Sequence, residues 1–447
     1  MFAMLSYPVR IALIAALGGF LFGFETVVIS GAEQTLEKLW NLSKWEQGFT
    51  VASSLFGTVL GSLVAAFPAK RYGRKKSLQV IAVFFIVAAL GCAMTSLWGF
   101  FICFRIIGGL AVGASSVIAP MYIAEISPAN LRGRLTGSFQ VNIVLGIVVA
   151  FLTNYLISRL QLADSWRWML GIMVVPAVLF FALLFAIPES PRWLILGNKE
   201  QTALPILQRL GETNISAAVG SIRDSVKEHQ EKLFQRRYSK PILYAMLLAM
   251  FNQLSGINAI LYYSPRIFQL AGYDKSQALS QSIFLGVANL VATLLAMTVI
   301  DKIGRKTLLI IGSIGMIVFL SLVARALSGD LSGNSNLLLY LIGFIVFFAF
   351  SQGAVIWVFI SEIFPNAVRS QGGSLGSTTH WVMAAIITSV IPSILENGKG
   401  GVNVAGGHWA FVFFAAMMVL QLIFIWRVMP ETKGKSLEQI QKDLGIA

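Results

Sequence analysis

Glu25 and Arg105 are the first residues to weigh, because each stands inside a long apolar run where a charge is expensive. A charged group at mid-membrane costs about 2.5–3.5 kcal/mol even on the gentler insertion scale, so the two are expected to pair or to exchange a proton. Burial disfavours a carboxylate and a nearby guanidinium favours it, so the surrounding conformation can set whether Glu25 holds a proton. The alternative is a fixed Glu25–Arg105 strut that never titrates. Neutral polar side chains recur in other apolar runs: Gln140, Asn252, Gln253, Asn258 and Asn289, with Tyr262, Trp357, His380 and Trp381. Asn258 and Tyr262 share a helix face at i,i+4. Such amides can offer donors and acceptors to a neutral polar solute, or can simply bond between helices, at about 0.6 kcal/mol each. His380 can bond a hydroxyl, titrate near neutral pH, or serve as a satisfied packing residue.

These side chains need a scaffold of membrane helices, and the composition provides one. Of 447 residues, 56% are hydrophobic and 12% charged, with a mean hydropathy of +0.76, which excludes a water-soluble globule. At about 20 residues per crossing, the chain has room for on the order of twelve spanning helices. Apolar stretches fall near 9–31, 48–68, 77–95, 99–122, 136–158 and 167–187, then 242–269, 280–301, 306–325, 336–362, 371–395 and 408–428. The first could pass for a signal peptide, but it is long enough to span and lacks a small-x-small cleavage site, so a retained helix is expected. The predicted architecture is an all-α polytopic membrane protein: a six-helix bundle over 1–187, a linker with short helices over 188–240, a second bundle over 241–429 and a tail over 430–447.

The net charge of +14 follows the loops. The loops on the side of the termini, with the termini, hold 25 of the 34 Lys and Arg; the opposite loops hold eight, Arg266 among them, and Arg105 alone is assigned to a span. By the positive-inside rule, both termini and the linker are expected in the cytoplasm, and nucleic acid is not an implied partner. Cys92 and Cys103 have no metal-type spacing. No nucleophile, base and orienting group converge, and no metal-ligand set appears, so neither an enzyme nor a cofactor is expected.

The two halves repeat. Glu125, Pro128 and Arg132 recur as Glu362, Pro365 and Arg369; YGRKK at 72–76 recurs as IGRKT at 303–307; and PES at 188–190 recurs as PET at 430–432. Three motifs recurring in one order argue for a duplicated six-helix unit, the plan of secondary transporters that alternate access. With PESPRWL at 188–194, NQLSGINAILYYS at 252–264 and PETKG at 430–434, YGRKK makes nearly the whole chain resemble the sugar porter family of the major facilitator superfamily. In style it is similar to bacterial sugar–proton symporters of the xylose–proton type. Lys70 departs from the acid or Asn that commonly begins the basic motif, Asn252-Gln253 replaces a Gln pair, and His380-Trp381 stands where relatives carry Gln-Trp or Asn-Trp.

The resemblance implies two six-helix bundles around a central cavity and import of a monosaccharide, hexose or pentose, by proton symport. It assigns proton coupling to Glu25 and Arg105, and sugar contacts to Gln140, Asn252, Gln253, Asn258, Tyr262, Asn289, Trp357, His380 and Trp381. Arg74, Glu125, Arg132 and Glu189, with Arg305, Glu362, Arg369 and Glu431, resemble a cytoplasmic salt-bridge gate that ties the bundles together. The implied setting is a monomer in the lipid bilayer of a plasma membrane, the inner one of a bacterium, with sugar and protons as its partners. Uniport with a structural Glu25 stays open as an alternative. A non-transporting sensor is less favoured, because it would be expected to carry a long tail and 19 residues follow residue 428.

Overall fold

The computed structural model describes residues 6–128, 130–212, 214–224, 231–328, 336–395 and 404–433, with Gln439, Lys442 and Ile446. Most of the 430–447 tail and residues 225–230 of the linker therefore lie outside the described residues. Among the described residues the protein is helical throughout, and twelve helices are long and apolar enough to cross a membrane. Numbered along the chain, the spans are Tyr7–Gly31, Lys44–Val64, Arg74–Met94, Trp98–Ile126, Arg132–Arg159 and Ser165–Ala186, then Arg236–Leu270, Lys275–Ile300, Arg305–Ala326, Leu337–Ile360, Arg369–Leu395 and Gly407–Arg427. Helices dominate because lipid offers backbone groups no partner, so each apolar run must satisfy its own N–H and C=O groups. The stretch between spans 6 and 7 holds short helices at Pro191–Leu196, Glu200–Arg209 and Ile215–Asp224.

Contacts divide the chain into two compact units. One comprises Met1–Thr26, Phe56–Ala150 and Leu170–Gln230; the other comprises Val27–Leu55, Phe151–Met169 and Glu231–Ala447. In the first unit, spans 2 and 4 approach backbone to backbone. A Cβ on Gly57 would lie 2.2 Å from the Ile106 carbonyl oxygen, and one on Gly113 would lie 2.1 Å from that of Thr58. Small residues are what allow lipid-embedded helices this close. Gly113→Ala is expected to cost about 1–3 kcal/mol through overpacking; a melting temperature in detergent equal to wild type would contradict this packing.

In the second unit, span 7 breaks at Gly256, which takes φ +84° between helices ending at Leu254 and starting at Ile257. A side chain there would be strained, and its Cβ would also strike the Phe414 ring at 2.5 Å. The break lets Asn252 and Gln253 end one helix while Asn258 begins the next. Span 10 carries a second irregularity, a π-helical turn at Ala349–Gly353 that includes Gln352. Such turns are common at functional sites.

Candidate functional site

Span 1 delivers Glu25 and span 4 delivers Arg105 to one point in the first unit. Glu25 is 4% exposed and Arg105 0%, and Arg105 Nη1 donates to Glu25 Oε1. The glutamate's extra methylene, relative to the aspartate of the resemblance, therefore does not prevent contact. Gly108 keeps this point open, since a Cβ there would lie 3.0 Å from Glu25 Oε1. Removing one partner of such a pair leaves a bare buried charge and costs about 3–5 kcal/mol. Gln140, half-buried on span 5, belongs to the same unit.

The other polar candidates lie in the second unit. Gln253 Nε2 donates to Asn252 Oδ1 at 2.9 Å, and Asn258 Nδ2 donates to Gln253 Oε1 at 2.8 Å. Gln253 Nε2 also lies 3.2 Å from His380 Nε2, so an unprotonated ring nitrogen can accept its second N–H. The His380 ring stands 5.0 Å from Trp357 and edge-on to Trp381 at 4.8 Å. Trp357 is 39% exposed, while Trp381 and Tyr262 are buried. Asn289 on span 8 is buried, and among the described residues it makes no bond to this group. Asn252 spends its oxygen on Gln253 and its nitrogen on Gln352.

The duplicated motifs build the same device twice. Gly73 takes φ +95° and Gly304 +103°, each just ahead of a span. Glu189 Oε1 accepts from the Arg74 N–H at 2.8 Å and the Lys75 N–H at 3.1 Å; Glu431 accepts from the Arg305 and Lys306 N–H groups at 3.1 and 3.0 Å. A carboxylate on unpaired N–H groups at a helix start is favourable both as hydrogen bonding and as dipole compensation. Glycine is required because a Cβ on Gly73 would sit 2.2 Å from Glu189 Oε2. Arg74 grips Glu125 with two bonds of 2.9 and 2.8 Å, and Arg305 reaches Glu362 at 3.0 Å. Ser190 and Thr432 donate to those same glutamates at 2.5 and 2.6 Å. Every one of these bonds stays within one unit. Arg132 is exposed, and Arg369 Nη2 is buried with no hydrogen-bond partner among the described residues.

One charged cluster escapes sequence reasoning. Arg266, counted there in a loop, is 5% exposed within span 7, so Arg105 is not the sole base inside a span. Arg266 Nε donates to Glu33 at 3.1 Å, Nη2 to Glu37 and Nη1 to Gln47 at 3.4 Å; Lys44 donates to Glu37 and Gln47 to Glu33, each at 2.5 Å. The available signal was the apolar run continuing through Ile267, Phe268 and Leu270 past Arg266. Burial, outweighing the Arg266 charge, pushes the Glu33 carboxyl above its ordinary 4.5. Burial also pushes Glu37 up, but the Lys44 hydrogen bond and Arg266 outweigh it and hold this carboxyl below 4.5.

The two acids therefore shift stability in opposite senses. The Glu33 contribution is complete below pH 4.5 and fades as pH rises through its raised folded value, whereas that of Glu37 holds above 4.5 and fades as pH falls. Melting temperatures in detergent are expected to show the wild-type margin over Glu33→Gln shrinking as pH rises. The margin over Glu37→Gln shrinks as pH falls, and parallel margins would refute the assignment.

A sequence model of the family described as "Sugar (and other) transporter" matches residues 11–444. The chain belongs to this sugar transporter family. The transporter is 36% identical to the D-xylose-proton symporter of Escherichia coli (strain K12), over 98% of this chain and 95% of that protein. It is 35% identical to the arabinose-proton symporter of Bacillus subtilis (strain 168), again over 98% and 95%. The inward open conformation of the xylose transporter XylE from E. coli matches with a TM-score of 0.86 at 34% identity, covering 98% of this chain and 99% of that one. XylE bound to 6-bromo-6-deoxy-D-glucose matches at 0.81 and 35% identity, with 98% and 99% covered. The transporter is thus a twelve-span membrane protein of the major facilitator fold, not an enzyme.

Proposed function

We propose that the transporter imports a monosaccharide, a pentose or a hexose, by proton symport. It works as a monomer in a bacterial inner membrane, with both termini in the cytoplasm. The observation that carries this reading is the buried Glu25–Arg105 pair. A protonated Glu25 releases Arg105 and an ionised one holds it, so a proton on one oxygen can be tied to the helix arrangement. One proton moving down 100 mV is worth about 2.3 kcal/mol, enough for roughly a fifty-fold sugar gradient. In the second unit the sugar is read by Gln253, Asn258 and Asn289, with Tyr262, His380 and Trp381 beside the exposed indole of Trp357, and in the first unit by Gln140; the amides answer hydroxyls and the indole takes the ring's apolar side. The Arg74–Glu125 and Arg305–Glu362 clusters, with Glu189, Glu431, Arg132 and Arg369, form the cytoplasmic gate. No cofactor beyond the proton is needed. The relatives named for xylose–proton and arabinose–proton symport support the substrate class.

Uniport is the second reading, favoured by the direct Arg105–Glu25 contact, since a permanent strut needs no titration. The deciding experiment adds D-xylose, L-arabinose or D-glucose to cells expressing the transporter and follows the pH of a weakly buffered medium. Alkalinisation that a protonophore abolishes establishes symport; sugar uptake without any pH change establishes uniport.

A further inference from the structure

A line of buried amides runs through spans 9, 12, 10 and 7 and ends at Asn258. Ser313, Gln421, Gln352, Asn252 and Gln253 are all buried, and all belong to the second unit. The Ser313 hydroxyl donates its single proton to the Leu309 carbonyl at 2.7 Å, so toward any other neighbour it can only accept. Gln421 must therefore turn its NH2 to Ser313, which it does at 2.9 Å, and must turn its oxygen to Gln352. Gln352 Nε2 donates to that oxygen, which leaves Gln352 Oε1 to accept from Asn252 Nδ2 at 3.3 Å. Asn252 Oδ1 then accepts from Gln253 Nε2, and Gln253 Oε1 from Asn258 Nδ2. Reversing any one amide would set oxygen against oxygen and N–H against N–H among buried groups, where unmet polar atoms are costly. The orientation chosen at Ser313, supported at Asn252 by the Gln352 main-chain carbonyl 3.5 Å from its Nδ2, passes link by link to the half-buried Asn258, which gives its NH2 to Gln253 and keeps its oxygen without a hydrogen bond among the described residues.

We propose that this relay fixes the donor–acceptor sense of the sugar site: Ser313, Gln421 and Gln352 are positioning residues that make Asn258 present a carbonyl, so the substrate must present a hydroxyl that donates. The proposal rests on the sugar-binding reading above. It gives Asn252 a transmitting role rather than a sugar contact. It also explains why a π-helical turn sits at Gln352, the one link that must reach both span 7 and span 12.

The test uses the full-length transporter in detergent and equilibrium dialysis with labelled D-xylose, L-arabinose and D-glucose. Competitors are analogues of the sugar that binds, each with one hydroxyl replaced by fluorine, which cannot donate a hydrogen bond. In wild type, one analogue is expected to bind at least about tenfold more weakly than its parent, the cost of facing a carbonyl without a donor. In Ser313→Ala and in Gln421→Leu the amides can reverse, and that penalty is expected to shrink to within about threefold. A merely structural role would lower the melting temperature and leave the ratio of analogue to parent untouched. If both variants keep the wild-type ratio, or if wild type binds sugar without any such ratio, the relay is overturned and sugar binding stands. If wild type binds none of the three sugars, the sugar reading itself falls, and the relay with it. Should Gln421→Leu fail to fold, Ser313→Ala, which deletes a single oxygen, decides alone.

Discussion

Proteoliposomes carrying Glu25→Gln are expected to equilibrate labelled sugar and never to concentrate it. Glutamine keeps the length of the side chain and can still bond, but it has no proton to carry through the cycle. With an imposed pH gradient and membrane potential, wild type should accumulate sugar toward roughly fifty-fold per 100 mV, while the variant should stop at onefold. Exchange of internal for external sugar should persist, because the amide group on span 7 is untouched. The variant also leaves Arg105, fully buried, without its anion, so a penalty of about 3–5 kcal/mol and a lower melting temperature accompany the defect. Exchange measured on the folded fraction separates the two effects. Sugar accumulation by Glu25→Gln at the wild-type level would rule out this carboxyl as the proton carrier.

Arg266→Leu carries the second large effect, and its mechanism is different. The guanidinium sits 5% exposed between Glu33, itself 1% exposed, and Glu37. Removing it leaves Glu33 with the neutral Gln47 and no cation, and Glu37 with Lys44 alone, beside an apolar side chain, at a cost of about 3–5 kcal/mol. Glu33 can relieve part of that by taking up a proton, so the loss should be smaller at acid pH than at neutral pH. Replacing the group as a whole, Arg266→Leu with Glu33→Leu and Glu37→Gln, should recover much of the stability, because buried ion networks are often no better than well-packed apolar side chains. Thermal melting in detergent across pH is the measurement. A single variant that melts with wild type, or a triple variant no better than the single one, would contradict a load shared among these three charges.

The sequence makes the spans legible because an apolar run of about 20 residues has little choice in lipid. Glu25 and Arg105 are legible for the same reason, each being conspicuous in its run. Gly256 announces its break, since a lone glycine beside three polar residues has few other uses in a span. The Arg266 cluster is not legible. Its acids stand 233 and 229 residues away in the connection after span 1, and only tertiary packing brings them to span 7. The amide relay is hidden differently. Gln352, next to Ser351, and the lone Gln421 are sparse polar residues in apolar runs, and nothing local distinguishes a link in a chain from an incidental interhelical bond. Its direction depends on one serine proton, which no spacing reveals. The duplicated motifs read in sequence as ties between bundles, yet the bonds of Glu189 and Glu431 are to the N–H groups that start spans 3 and 9.

That last arrangement has a bearing on biosynthesis. The cap on span 3 comes from a residue 115 positions later, and that on span 9 from one 126 positions later. At about 5–20 residues per second, a ribosome needs roughly 6–25 s to deliver each carboxylate after its helix start has emerged. During that interval the N–H groups at each helix start depend on water, although Glu125 and Glu362 reach Arg74 and Arg305 sooner, 51 and 57 residues on. Each half is therefore sealed only by a carboxylate that follows its sixth span, and a nascent chain truncated before either glutamate leaves that helix start uncapped.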